Sequence, residues 1–380
     1  MSAICQRPYS KKRARTLCEA RLPGSAAAAF WDANVVQPHA NMSWAHYGAG
    51  MQGKIALEEH FAIAETVMES KPFVPADHWP ELEHRLTDVQ DRRLRLMDQH
   101  GIEMMLLSLN APTVQAVTET RRAVEIARRA NDALAGEVAK RPHRFQGLAA
   151  LPLQDPELAT GELIRCVKEL GFVGVLANGF SQCSDTGALL YYDLPQYWPF
   201  WAEVERLDVP FYLHPRNPLL QDARIYQGAE WLIGPTWAFG QETAVHALRL
   251  MGSGLFDVHS RLQIVIGHMG EGIPFNLWRV DNRNAWVKAP RAHRGKRAIA
   301  DYISENFHIT VSGNFCTQAL LATMSVVGAG RIMFSTDWPF ENIDHAADWF
   351  DRTPIAPADR QRIGRTNAVE LFKLDKHLAG

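Results

Sequence analysis

The stretch KIALEEHFAI, Lys54 to Ile63, opens as a short apolar run and passes directly into Glu58, Glu59 and His60. Strands buried on both faces of a parallel sheet read as near-continuous apolar runs. Polar residues packed at the end of such a run mark the point where the strand reaches a functional surface. The same pattern recurs downstream in EMMLLSL (103–109), FQGLAAL (145–151), FVGVLAN (172–178), VPFYLH (209–214), LQIVIGH (262–268), HITVSG (308–313) and RIMFSTD (331–337), which with KIALE (54–58) makes eight strand candidates. Amphipathic stretches lie between them, ELEHRLTDVQDRRLRLMDQHG (81–101) among them, and several stop at Gly or Asp. Eight strands alternating with helices predict an α/β fold, a (β/α)8 TIM barrel over residues 51–380. The surplus over a minimal barrel falls in loops after strands one, four and five. An open doubly wound sheet is the alternative, but no glycine-rich phosphate turn follows the first strand.

In such a barrel the C-terminal strand ends converge on one face. The ends read LEEH, FYLH, VIGH and FSTD, so four strands deliver Glu58, His60, His214, His268 and Asp337 to a common mouth. Alternation sends Glu58 and His60 to the same side and Glu59 away. With His214 and Asp337 they make a mixed nitrogen and oxygen set suited to one divalent ion, zinc or manganese. A single such residue is more simply a satisfied polar group at a strand end; four strands ending this way are not. His268, with Glu271 three residues later, can move a proton or orient a carboxylate. Trp338 and Phe340 crowd Asp337, and desolvation by them is expected to raise its pKa. His246 reads as packing, and His345 as a helix-start residue or part of the mouth.

With 40 basic and 42 acidic residues the net charge is −2, which gives no electrostatic support for a nucleic-acid or anionic-membrane partner. No apolar run is long enough for a bilayer. The five cysteines, Cys5, Cys18, Cys166, Cys183 and Cys316, lack zinc-site or disulfide spacing and fit a reducing cytoplasm. Residues 1–50 have a basic start, an alanine run and no sustained period, and are set apart as an N-terminal extension, disordered or preceding the true start at Met51.

The stretches GKIALEEHFAI, LDVPFYLHPRNPL, GPTWAFGQETAVHALRLM, GHMGEG, SGNF, RIMFSTDWPFENIDHAADWF and IGRTNA carry a resemblance over Met51 to about Leu374. The chain resembles the amidohydrolase superfamily, in the branch related to aminocarboxymuconate semialdehyde decarboxylase, and there the γ-resorcylate (2,6-dihydroxybenzoate) type. The resemblance implies that Glu58, His60, His214 and Asp337 bind the metal. It implies Asp337, His268 and Glu271 as catalytic residues, and Phe73, Asn110, Phe239, Arg279 and Phe340 around a small aromatic acid. It further implies reversible, non-oxidative loss of carbon dioxide from an o-hydroxybenzoate, no organic cofactor, and a homotetramer. Decarboxylation of another hydroxybenzoate, such as 2,3-dihydroxybenzoate or 5-carboxyvanillate, is the near alternative. Metal-dependent hydrolysis of a small cyclic substrate, or a non-catalytic binding barrel, are the distant ones.

Overall fold

The eight apolar runs all form parallel strands: β1 (Lys54–Phe61), β2 (Ile102–Leu109), β3 (Phe145–Ala149), β4 (Gly174–Asn178), β5 (Phe211–His214), β6 (Ile264–Ile266), β7 (Phe307–Thr310) and β8 (Ile332–Met333). They pair in chain order from β1 to β8 in this computed structural model, which describes residues 50–184, 189–219, 221–288 and 293–378. The expectation for the first fifty residues therefore lies, except for Gly50, outside the described residues. Helices α1 (Arg92–Gln99), α2 (Thr120–Lys140), α3 (Pro156–Lys168), α4 (Trp198–Leu207), α5 (Ala238–Gly252), α6 (Ile273–Asn284), α7 (Thr317–Val327) and α8 (Ile343–Arg352) follow the successive strands. The architecture is a TIM barrel.

Two apolar layers account for it. Ile55, Leu57, Met104, Leu106, Leu148, Leu176, Tyr212, Val265 and Met333 fill the interior, together with Ala368, Phe372 and Leu374 from the C-terminal end of the chain. Their strand neighbours, such as Ala56, Met105, Leu107, Val175, Leu213 and Ile264, face the helices. Alternating sides along each strand produce this division.

The seam between β8 and β1 is closed in another way. The His60 N–H donates to the Trp338 carbonyl at 2.6 Å, and the Ser335 hydroxyl to the Leu57 carbonyl at 3.1 Å. The Glu59 carboxylate accepts from the Thr336 N–H at 2.8 Å and the Thr336 hydroxyl at 2.5 Å. Burial lifts this carboxyl to about 8, against the hydrogen bonds from Thr336 and the charge of Arg93.

The surplus chain falls in the loops after β1, β4 and β5, as expected, and also after β6, where helix Ile299–Asn306 follows α6. The stretch 81–101 forms two helices rather than one. Asp88 ends helix Trp79–Thr87, and its carboxylate accepts from the Asp91 and Arg92 N–H groups at 2.9 and 2.7 Å, which starts α1. Among the described residues no helix is long and apolar enough to cross a membrane.

Two buried histidines lie away from the strand-end cluster. His246 on α5 accepts the Tyr192 N–H at 3.1 Å, and His308 on β7 accepts from Arg331 at 2.9 Å. Burial, reinforced by a neighbouring arginine, depresses each to about 3. Both are neutral when folded but titrate near 6.5 when unfolded, so stability is full above pH 6.5 and is lost as the pH falls toward 3. The urea midpoint should drop between pH 6.5 and 4. His246→Gln, which keeps an acceptor for Tyr192, should show a shallower drop, by up to about 1.4 kcal/mol per pH unit; chemical denaturation across that range checks it.

Candidate metal and active site

The local backbone, not alternation, turns Glu58 into the mouth. Leu57 faces the interior and Ala56 the helices, so strict alternation would point Glu58 outward. The β1–β2 register instead shifts between Ala56 and Glu59, and Glu58 sits at φ 49°. A bulge of this kind re-aims a side chain. His268 (52°), Met269 (61°), Glu271 (54°) and Asp337 (60°) share the left-handed region, which non-glycine residues rarely adopt. Each such residue costs about 1–3 kcal/mol and persists where the surroundings fix it.

Glu58, His60, His214 and Asp337 each offer one donor atom, and the four atoms lie within 4.8 Å of one another. Glu58 Oε1 is 3.2 Å from His214 Nε2, and Asp337 Oδ1 is 3.5 Å from His60 Nε2. His60 and His214 meet edge to face at 4.7 Å. The fit to a divalent ion rests on two buried atoms of this set of residues, Glu58 Oε1 and His60 Nε2, that have no hydrogen-bond partner. Two imidazole nitrogens and two carboxylate oxygens are a donor set that zinc and manganese accept. Ser108 Oγ lies 3.2 Å from His60 Nδ1, and by accepting its proton would leave Nε2 free to ligate.

His268 stands beside the set. Its Nε2 is 3.6 Å from Glu58 Oε1 and 3.8 Å from Asp337 Oδ2, and its Nδ1 is 2.7 Å from Glu271 Oε1. Burial pulls this imidazole down, but the charges of Glu271 and Glu58, the nearby Asp337 carboxylate and the hydrogen bond with Glu271 lift it well above its usual range. Asp337 corrects the expectation drawn from its aromatic neighbours. Burial does push the carboxyl up, yet the His268 and His60 imidazoles close beside it outweigh burial and hold the carboxyl far below the usual range. Glu58 is likewise lifted by burial and lowered overall by His268 and His214. His60 is lowered by burial and stays neutral, as a ligand must be.

Of the expected substrate contacts, Phe340 packs edge to face on His60 at 5.5 Å, and Phe73 meets Phe239 at 5.7 Å. Asn110 is fully buried and braces the loop after β1, donating to Thr66 O at 3.0 Å and Ser70 Oγ at 2.8 Å. Arg279 is exposed on α6, and among the described residues no hydrogen bond or ion pair ties it to the cluster. His345 lies near the start of α8, where Asn342 accepts its N–H, and its ring packs against Phe315 at 5.4 Å. Sequence reasoning passed over Ser108, Tyr212 and the seam role of Glu59. The first two read as ordinary strand residues, and the third was assigned only a direction.

The profile described as "Amidohydrolase" matches residues 29–374. The chain belongs to the amidohydrolase family. A γ-resorcylate decarboxylase from Rhizobium sp. (strain MTP-10005) is 69% identical over 325 residues, 86% of this chain and 99% of that one. One from Rhodococcus jostii (strain RHA1) is 68% identical over 329 residues, 86% of this chain and 100% of the relative. Among solved structures, a dihydroxybenzoic acid decarboxylase from Polaromonas sp. JS666, with bound manganese and 2-nitroresorcinol, superposes with a TM-score of 0.85 at 65% identity, covering 87% of this chain and all (100%) of that one. A 2,6-dihydroxybenzoate decarboxylase complexed with 2,6-dihydroxybenzoate gives 0.83 at 69% identity, over 85% of this chain and 100% of that one.

Gly313 shows how little slack this family member leaves around Asp337. A Cβ there would lie 2.9 Å from both Asp337 Oδ2 and His268 Cδ2, and the backbone sits at φ +60°. Gly313→Ala should therefore lower turnover by about 100-fold through displacement of the pair. Steady-state kinetics on the folded variant, judged by its melting curve, checks this.

Proposed function

We propose that this protein is a metal-dependent, non-oxidative decarboxylase of an o-hydroxybenzoate, converting 2,6-dihydroxybenzoate to resorcinol and carbon dioxide. The observation that carries the reading is the buried set Glu58, His60, His214 and Asp337, with the His268–Glu271 pair beside it. It sits in a chain 69% identical to a γ-resorcylate decarboxylase over 99% of that relative's length. The ion is zinc or manganese, and the manganese in the Polaromonas structure favours manganese. No organic cofactor is required.

A divalent ion held by Glu58, His60, His214 and Asp337 would supply Lewis-acid polarisation and a template for a carboxylate oxygen and its ortho oxygen. The remaining chemistry belongs to the side chains. Direct loss of carbon dioxide would leave a ring carbanion whose lone pair lies in the ring plane, outside the π system, so the ring carbon is protonated first. Asp337, supplied with a proton by His268, gives it to the carbon that bears the carboxylate. The C–H bond forms from a pair of ring π electrons, and aromaticity is lost. The bond to the carboxylate then breaks, its electron pair returns to the ring, and carbon dioxide leaves. Glu271 accepts from His268 Nδ1 and so orients the imidazole that reloads Asp337. Phe73, Phe239 and Phe340 would grip the ring's faces and exclude water, with Asn110 holding the loop that carries Phe73.

Arg279 is proposed as a partner for the substrate's acid group. Its α6 neighbours Phe275 and Trp278 are 88% and 75% exposed, and a homotetramer would cover such an apolar face. A cytoplasmic location, and residues 1–50 as an extension before the barrel, complete the proposal; the free cysteines Cys166, Cys183 and Cys316 support the first.

Purified enzyme incubated with 2,6-dihydroxybenzoate should form resorcinol, followed by its ultraviolet spectrum, and a chelator should stop the reaction. Under high bicarbonate, resorcinol should be carboxylated. Turnover of 2,3-dihydroxybenzoate or 5-carboxyvanillate alone would reassign the substrate. Silence on all three from metal-loaded protein would return the function to hydrolysis or binding.

A further inference from the structure

Tyr212 lies two residues before His214 on β5, with its ring in the barrel interior among Leu57, Val265 and Met333. It is fully buried, and a phenylalanine would fill the same apolar space. A phenol in such a place is costly unless its hydroxyl is partnered. Here the partner is a carboxylate: Tyr212 Oη donates to Glu58 Oε2. Behind it, Thr310 Oγ1 lies 2.7 Å from Tyr212 Oη and 3.4 Å from Glu58 Oε2. One proton on each hydroxyl completes a chain in which Thr310 donates to Tyr212 and Tyr212 donates to Glu58.

The two oxygens of Glu58 are thereby made unequal. Oε2 is held from below, whereas Oε1 has no hydrogen-bond partner and faces His214 Nε2 at 3.2 Å. Gly267 leaves the space for this arrangement. A Cβ there would come 2.8 Å from Glu58 Oε2 and 3.3 Å from the Tyr212 hydroxyl oxygen.

We propose that Tyr212, backed by Thr310, is a positioning residue that fixes Glu58 Oε2 and leaves Oε1 as the single oxygen this carboxylate offers to the metal. The inference rests on the metal-site reading given above. Hydrogen-bond partners of metal ligands typically change affinity by about 10- to 100-fold.

The test is a titration of metal-stripped full-length protein with Mn2+, free Mn2+ being followed by electron paramagnetic resonance, for wild type, Tyr212→Phe and Thr310→Val. The expected result is tight binding by wild type, a loss of affinity of about 10- to 100-fold in Tyr212→Phe, and a smaller loss in Thr310→Val. Metal-free Tyr212→Phe, which leaves Glu58 Oε2 without its main donor, should melt below metal-free wild type. Affinities are therefore compared at a temperature well below both melting midpoints, where a purely structural loss of stability would leave Mn2+ affinity unchanged. Wild type that binds no Mn2+ would overturn the metal reading and this inference with it. Wild type that binds, with Tyr212→Phe within twofold of it, would overturn the positioning role alone. If Tyr212→Phe does not fold, Thr310→Val decides: weaker binding by threefold or more supports the role, and unchanged binding overturns it.

Discussion

Two carboxylates and three imidazoles are gathered at one end of the barrel where little water reaches. Glu58 and His60 are fully buried and His214 nearly so, with Asp337 and His268 at the rim of the same space. Buried charge is tolerated only when paired, hydrogen-bonded or bound to a cation. Ordinary hydrogen bonds do not meet that demand at Glu58 Oε1, and the neutral imidazole's His60 Nε2 is left without a partner as well. A divalent ion would meet it. The same requirement makes sense of the surrounding backbone, since the left-handed residues Glu58, His268, Glu271 and Asp337 are those that turn strand ends inward.

The strain is held by the seam next to it. β8 and β1 are joined by Glu59, Ser335, Thr336 and the His60–Trp338 backbone bond in place of a regular ladder. Glu59 thus lies between two members of the metal set in sequence yet serves the opposite side of the strand. Barrel closure and site geometry meet in three consecutive residues, Glu58, Glu59 and His60.

Much of this was legible in the chain. Apolar runs buried on both faces gave every strand, and strand ends rich in Glu, His and Asp foretold the cluster that the structure gathers, because in a closed barrel those ends must converge. What could not be read depends on contacts between distant segments. Tyr212 looks like one more apolar core residue until Glu58 is placed across the barrel from it. The pKa of Asp337 was expected to rise because Trp338 and Phe340 are its sequence neighbours, whereas His268 and His60, distant in sequence, set its direction. The break between helix Trp79–Thr87 and α1 lies within a continuous amphipathic pattern and is made by the Asp88 cap.

In the proposed reaction Asp337 both completes the metal set and delivers the proton to the ring. The most direct measurement is Asp337→Asn, assayed together for bound metal by elemental analysis and for resorcinol formation from 2,6-dihydroxybenzoate. An asparagine keeps an oxygen for the ion but carries no acidic proton, so part of the metal should remain and turnover should vanish. An Asn variant that still forms resorcinol would contradict the account and remove Asp337 as the acid.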